Sequence, residues 1–270
     1  MEGFAGLASV TTVQESTKRQ RRHILAWALL VLLSLGVFLL GRVRFQFLRS
    51  ASHQSPRTVP LTSFPGRQIT PAFSPDGKQV AFAWDGEKRE NFDIYVKLVG
   101  AGEPLRLTSN AAAESWPTWS PDGGHIAFCR ELSDHVEIWM IPALGGAERK
   151  LGKSESCEGL SWSSKGQFLA LGHRYLPRTA SGVSLLSIET GEARELTSPS
   201  LGFWDSRPAF SPNGTMLAFV RAPSTESSEI YELAVGLDGW PGGEPRRVTY
   251  DERNINGAGE SSIHRACRVR

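Results

Sequence analysis

The 270-residue sequence predicts an all-β chain, a β-propeller of four-stranded blades preceded by one transmembrane helix. Three observations carry this reading. A Ser-Pro-Asp-Gly turn and its surroundings occur in four copies, at intervals of 46, 43 and 48 residues. Gly (27) and Pro (16) are abundant, as suits many short strands joined by turns. One uninterrupted apolar run lies near the N-terminus, with basic residues on both sides.

The run comes first. Ile24 to Gly41 (ILAWALLVLLSLGVFLLG) has no charge over eighteen residues, which makes about 27 Å of helix, close to the hydrocarbon thickness of a bilayer. No small-residue cleavage site follows; Arg42 and Arg44 do, so an uncleaved single span is expected. Lys18, Arg19, Arg21 and Arg22 precede it, and Arg42, Arg44 and Arg49 follow. The denser cluster before the span places the N-terminus inside and the large domain outside. The expected organisation is a cytoplasmic tail over 1–23, a transmembrane helix over 24–41, a juxtamembrane stalk over 42–58, propeller repeats over 59–257 and an atypical tail over 258–270. The expected location is the cell membrane, single-pass, with the propeller extracytoplasmic (periplasmic).

The net charge of +2 hides an asymmetry. Residues 1–50 hold seven Lys and Arg against two Glu; the remainder holds 23 basic against 26 acidic residues. A mildly acidic body argues against nucleic acid as a partner of the propeller itself.

The repeats define the blades. Ser74-Pro75-Asp76-Gly77 returns as Ser120-Pro121-Asp122-Gly123, Ser163-Ser164-Lys165-Gly166 and Ser211-Pro212-Asn213-Gly214. An aromatic residue stands before each turn (Phe73, Trp119, Trp162, Phe210), and an aliphatic-Ala-apolar triplet follows: Val80-Ala81-Phe82, Ile126-Ala127-Phe128, Leu169-Ala170-Leu171 and Leu217-Ala218-Phe219. In the turn, Pro sets φ, Asp bonds the local backbone and Gly takes positive φ. Second strands are expected over Gln79–Trp84, His125–Arg130, Phe168–His173 and Met216–Arg221. Third strands follow over 93–96, 137–140, 183–188 and 229–231, and short fourth strands over 105–108, 149–151, 194–197 and 247–249. Four strands in about 45 residues is the pattern of a propeller blade.

These residues resemble the WD-repeat-like blades of the TolB-type propeller family, with its aromatic-Ser-Pro-Asp-Gly turn, Ile-Ala-Phe strand and Ile-Tyr strand. The resemblance covers roughly residues 58–257 and implies a fold more than a function. The layout is also similar to bacterial membrane proteins in which such a propeller follows one helix, with a winged-helix or kinase effector on the cytoplasmic side. The 23 residues before the span hold neither effector.

Val59-Pro60-Leu61-Thr62 reads as the end of a blade, since Thr62 precedes Thr108 by one repeat of 46 residues. It is expected to supply an outermost strand from the N-terminal side. A closing blade would then need three strands after Thr249, yet AGESSIHRACRVR carries no turn motif. Four blades either close as a small ring or form an incomplete one, and the second is the expectation.

Catalytic chemistry is not expected. There is no G-x-S-x-G elbow, no Walker loop and no G-x-G-x-x-G. The six histidines are scattered, and His125 and Cys129, four residues apart on one strand, would lie about 13 Å apart, too far for one metal ion. No metal and no cofactor is expected. The cysteines (Cys129, Cys157, Cys267) form no CxxC pattern; a Cys129–Cys157 bridge is open to an oxidising compartment, but buried free thiols are the expectation. Asp76, Asp122 and Asn213 read as turn residues, and Trp119, Trp139 and Trp162 as inter-blade core.

The loops leading into the first strands lie on one face near the propeller axis: Gly66-Arg67-Gln68, Glu114-Ser115-Trp116, Cys157-Glu158-Gly159 and Trp204-Asp205-Ser206-Arg207. Polar and aromatic groups converging there suit a protein, peptide or small ligand, and Glu114, Trp204, Asp205 and Arg207 are the candidate binding residues. The expected function is a membrane-anchored, non-enzymatic binding or scaffold module. The alternative is the sensor part of a transmembrane transcriptional regulator or kinase.

Overall fold

The computed structural model describes residues 27, 29–42, 59–100, 102–174, 180–223, 227–236 and 238–250. The chain divides into two units, Met1–Pro60 and Leu61–Arg270.

In the first unit, residues 29–42 are helical and expose apolar side chains such as Leu32, Val37 and Leu40. Among the described residues, no helix is long and apolar enough to cross a membrane. The remaining residues of the expected span, 24–26 and 28, lie outside the described residues, as do the tail over 1–23 and most of the stalk.

The second unit is a four-bladed propeller. Among the described residues, sixteen strands form four sheets, each of four consecutive strands in sequential order and antiparallel throughout. Blade 1 holds β1 (Gln68–Phe73), β2 (Gln79–Trp84), β3 (Asp93–Leu98) and β4 (Leu105–Arg106). Blade 2 holds β5 (Glu114–Trp119), β6 (His125–Glu131), β7 (Val136–Pro142) and β8 (Arg149–Ser154). Blade 3 holds the shorter β9 (Leu160–Trp162), β10 (Phe168–Leu171), β11 (Ser184–Ser187) and β12 (Ala193–Glu195). Blade 4 holds β13 (Trp204–Phe210), β14 (Met216–Ala222), β15 (Glu229–Ala234) and β16 (Arg246–Arg247).

The repeated turns behave as their chemistry dictates. The Ser74 hydroxyl donates to Asp76 Oδ1 at 2.7 Å, the same oxygen accepts from the Lys78 amide, and Gly77 takes φ +71°. Ser120 with Asp122 and Ser211 with Asn213 repeat the pattern. Blade 3, which has Lys165 at that position, keeps only the serine and backbone bonds.

The core lies between blades. One apolar cluster joins blades 1 and 2 around Ile94, Trp119 and Phe128, a second joins blades 2 and 3 around Ile138, Trp162 and Leu186, and a third joins blades 3 and 4 around Leu185, Phe210 and Phe219. Two further clusters belong to a single blade each, Val80, Phe82, Trp84 and Tyr95 in blade 1 and Ala218, Val220 and Ile230 in blade 4. The aromatic residue before each turn shows the same order. Trp119, Trp162 and Phe210 are 6–9% exposed, whereas Phe73 of the first blade is 62% exposed. Trp119 also donates its indole N–H to the Ala72 carbonyl of blade 1 at 3.0 Å.

Two expectations are corrected. Residues 59–62 form no strand: Pro60 has no N–H to give a ladder, and each sheet already has four strands of its own. Leu61 and Phe64 instead pack over the apolar face of blade 1. Cys129 and Cys157 are not free thiols but a disulfide, with Cα atoms 6.6 Å apart. Cys267 and the tail over 258–270 lie outside the described residues.

Candidate functional site

The first strands of successive blades meet one another, β1 with β5, β5 with β9 and β9 with β13, and so line the propeller axis. Two positions in each repeat decide what faces that axis.

The first is nine residues before the turn glycine: Gln68, Glu114, Cys157 and Asp205. Across the strand pair, sixteen residues on, stand Trp84, Arg130, His173 and Arg221. Where the first position is acidic the second is arginine, because a buried charge needs a partner. Arg130 Nε and Nη2 donate to Glu114 Oε1 at 2.8 and 2.6 Å, and Arg221 donates to both Asp205 oxygens at 2.7 and 2.8 Å. Thr108, at the end of blade 1, donates its hydroxyl to Glu114 of blade 2 while accepting the Ile94 amide. Thr197 does the same between blades 3 and 4, reaching Asp205 Oδ2 at 2.6 Å. These triads fasten blade 1 to blade 2 and blade 3 to blade 4.

Glu114 and Asp205 are therefore wholly buried interior groups. Burial outweighs the Arg130 and Thr108 contacts and pushes the Glu114 carboxyl up to about 6. In blade 3 both members of the pair lose their charge. Cys157 is bridged to Cys129, and His173 lies between the hydroxyls of Ser156 (3.3 Å) and Ser184 (2.9 Å). Burial holds its imidazole below the usual histidine range.

The second position is seven residues before the turn glycine: Thr70, Trp116, Gly159 and Arg207. All four adopt positive φ (49°, 54°, 114° and 50°), and the ladder slips in register just after the three non-glycine ones. Left-handed backbone at a bulky residue is strained and turns its side chain out of the regular alternation. Here the repeat turns the residues toward one another. The Thr70 hydroxyl accepts the Trp116 amide at 3.2 Å. Arg207 of blade 4 brings its guanidinium 5.9 Å from the Trp116 ring of blade 2 and 3.4 Å from Glu158 of blade 3. Contact between non-adjacent blades places this cluster on the axis. Glu158 and Arg207 keep about a quarter and a fifth of their side-chain surface exposed, and burial pushes the Glu158 carboxyl upward despite Arg207.

Of the four sequence candidates, Glu114, Trp204 and Asp205 are buried in blade structure and Arg207 is brought to the axial cluster. Trp116 and Glu158 join it from loops already singled out, but not as chosen residues. The complementary spacing of sixteen was the signal that separates Glu114 and Asp205 from them. A concavity of about 480 Å³ lies between the turns of blades 1 and 2, lined by Pro75, Asp76, Trp119, Asp122 and Leu144 among others. Among the described residues no group of three or more His, Cys, Asp or Glu is placed to hold a metal ion.

Comparison with known proteins follows the fold. The family described as TolB beta propeller domain matches residues 50–239. TolB from Acinetobacter baumannii is 28% identical with a TM-score of 0.52; the match covers 69% of this chain and 46% of that one. A putative TolB from Agrobacterium tumefaciens superposes with a TM-score of 0.60 at 23% identity, over 73% and 70% of the two chains. A Bacillus subtilis protein described as an uncharacterized peptidase, YuxL, is 32% identical over 174 residues, 60% of this chain. The chain spans only 23% of that relative's length.

Proposed function

The chain belongs to the TolB β-propeller family, and from that premise we propose that it is a non-enzymatic binding module that receives a peptide or protein segment at its axial cluster. The observation that carries this is the convergence of Trp116, Glu158 and Arg207 from three blades, with Trp116 and Arg207 on strained backbone. A cation over an aromatic ring beside a partly exposed carboxylate offers both charges and a flat apolar surface to a polypeptide. Strain of this kind is retained where the surrounding frame enforces it for a purpose. Anchoring by the apolar segment over 24–41, with the propeller outside, belongs to the same proposal. It is supported by the length and flanking charge of that run.

The test is an array of immobilised 15-residue peptides probed with the full-length protein in detergent. Peptides bound by wild type should lose at least tenfold in affinity with Arg207→Ala or Trp116→Ala and keep it with Lys165→Ala, a turn substitution. Equal affinity across all three variants overturns the axial assignment. Catalytic turnover of any array peptide overturns the non-enzymatic role.

A further inference from the structure

We propose that Cys129 and Cys157 form a thiol–disulfide exchange site that sets the position of Glu158 and, through it, Arg207. The bridge occupies a repeat position. Where the other blades place Gln68, Glu114 or Asp205 in non-covalent contacts, the third places Cys157. It is joined covalently to Cys129 on β6 of the preceding blade.

Blade 3 depends on this link more than its neighbours would. Its strands run three or four residues against six or seven in the inner three strands of the other blades, and its turn has Lys165 where the others have the side-chain acceptor of Asp76, Asp122 or Asn213. The link also adjoins the axis. Cys157 is followed by Glu158, whose carbonyl accepts the Arg207 amide at 2.7 Å. Gly159 lies so near that a side-chain carbon there would sit 2.7 Å from Arg207 Cα. A shift of Cys157 is thus passed to the backbone that holds Arg207 in its left-handed conformation.

The chemistry is an exchange with a dithiol. Cys129 is fully buried and Cys157 nearly so, so attack falls on Cys157 Sγ when the short β9 edge opens. A reductant thiolate forms a mixed disulfide with Cys157 and expels the Cys129 thiolate, which takes a proton. The reductant's second thiol, as thiolate, resolves the mixed disulfide and frees Cys157, which is protonated in turn. Two electrons and two protons reach the protein, and the dithiol leaves as its own disulfide. Oxidation by a disulfide reverses both steps. The bridged form belongs to an oxidising compartment.

This inference goes beyond ligand binding and is tested without a ligand. Full-length protein purified without reductant is denatured and its thiols counted; one is expected, from Cys267, and three would overturn the pairing. Amide hydrogen exchange is then compared before and after dithiothreitol, and in Cys129→Ser/Cys157→Ser. Exchange at residues 158–160 and 205–207 should quicken at least tenfold on reduction while β2 and β3 stay unchanged, with reversal on reoxidation. The double variant should resemble the reduced protein and ignore dithiothreitol. Unchanged exchange at 205–207, or equal acceleration in β2 and β3, overturns the coupling. Should the double variant fail to fold, the reversible wild-type comparison decides alone.

Discussion

The Thr62 hydroxyl donates to Gln68 Oε1 at 3.1 Å, six residues on, as the Thr108 hydroxyl donates to Glu114 six residues on. The segment before blade 1 thus meets its inner strand through the same contact that blade 1 makes with blade 2, although it forms no strand. Charge separates the two in energy. Thr62→Val removes one neutral, partly exposed bond and should cost about 1 kcal/mol or less. Thr108→Val leaves a carboxylate oxygen and the Ile94 amide buried without their hydroxyl and should cost about 3 kcal/mol. Urea unfolding of both variants checks this; equal losses would mean that charge does not separate the two contacts.

The aromatic residue before each turn offers a sharper contrast. Trp119→Ala removes a buried ring and its bond to Ala72 and should cost about 3–5 kcal/mol. Phe73→Ala, at the same repeat position but largely exposed, should stay within about 1 kcal/mol. A large loss at Phe73 in the same unfolding assay would show that its ring is covered.

That contrast shows what was legible in the sequence and what was not. Turns and second strands follow from local chemistry, and Gln79–Trp84 was placed at the bounds the structure gives. Residue type at one position cannot tell a ligand-facing carboxylate from an interior one. Glu114 and Asp205 look alike to either reading until Arg130 and Arg221 are seen opposite them. The Cys129–Cys157 bridge was obscured because two cysteines 28 residues apart carry no spacing signal. Only the repeat alignment, with Cys157 at an inter-blade fastening position, points to it. The left-handed backbone at Trp116 and Arg207 was likewise hidden, because neither residue favours positive φ and the surrounding blade imposes it.

At Gly159 the backbone demand is explicit. With φ at +114° and Arg207 Cα 2.7 Å from any added Cβ, Gly159→Ala should cost about 3 kcal/mol or more. Arg207→Gly should leave stability within about 1 kcal/mol, since relief of positive-φ strain offsets the lost ion pair. Peptide affinity at the axis should fall all the same. Thermal unfolding beside a binding isotherm separates the two effects, and a tolerated Gly159→Ala would sink the packing argument.

The last prediction concerns pH. Burial places the Glu114 carboxyl at about 6 in the folded protein, above its ordinary 4.5. Between those values the folded state holds more protons than the unfolded one, so this group's contribution to stability falls as pH rises through the window. It is level above about pH 6. A shift of this size corresponds to about 2 kcal/mol, or roughly 4–8 °C in Tm for a domain of this length. Glu114→Gln cannot titrate and keeps a side-chain acceptor for Thr108, so its Tm should gain on wild type by that margin between pH 4.5 and pH 7. His173 works in the opposite sense. Its imidazole is held below 6.5 by burial, so stability is lost as pH falls below that value, and both proteins share this loss. Parallel Tm curves for wild type and Glu114→Gln would mean that the Arg130 pairing, not burial, governs the carboxylate.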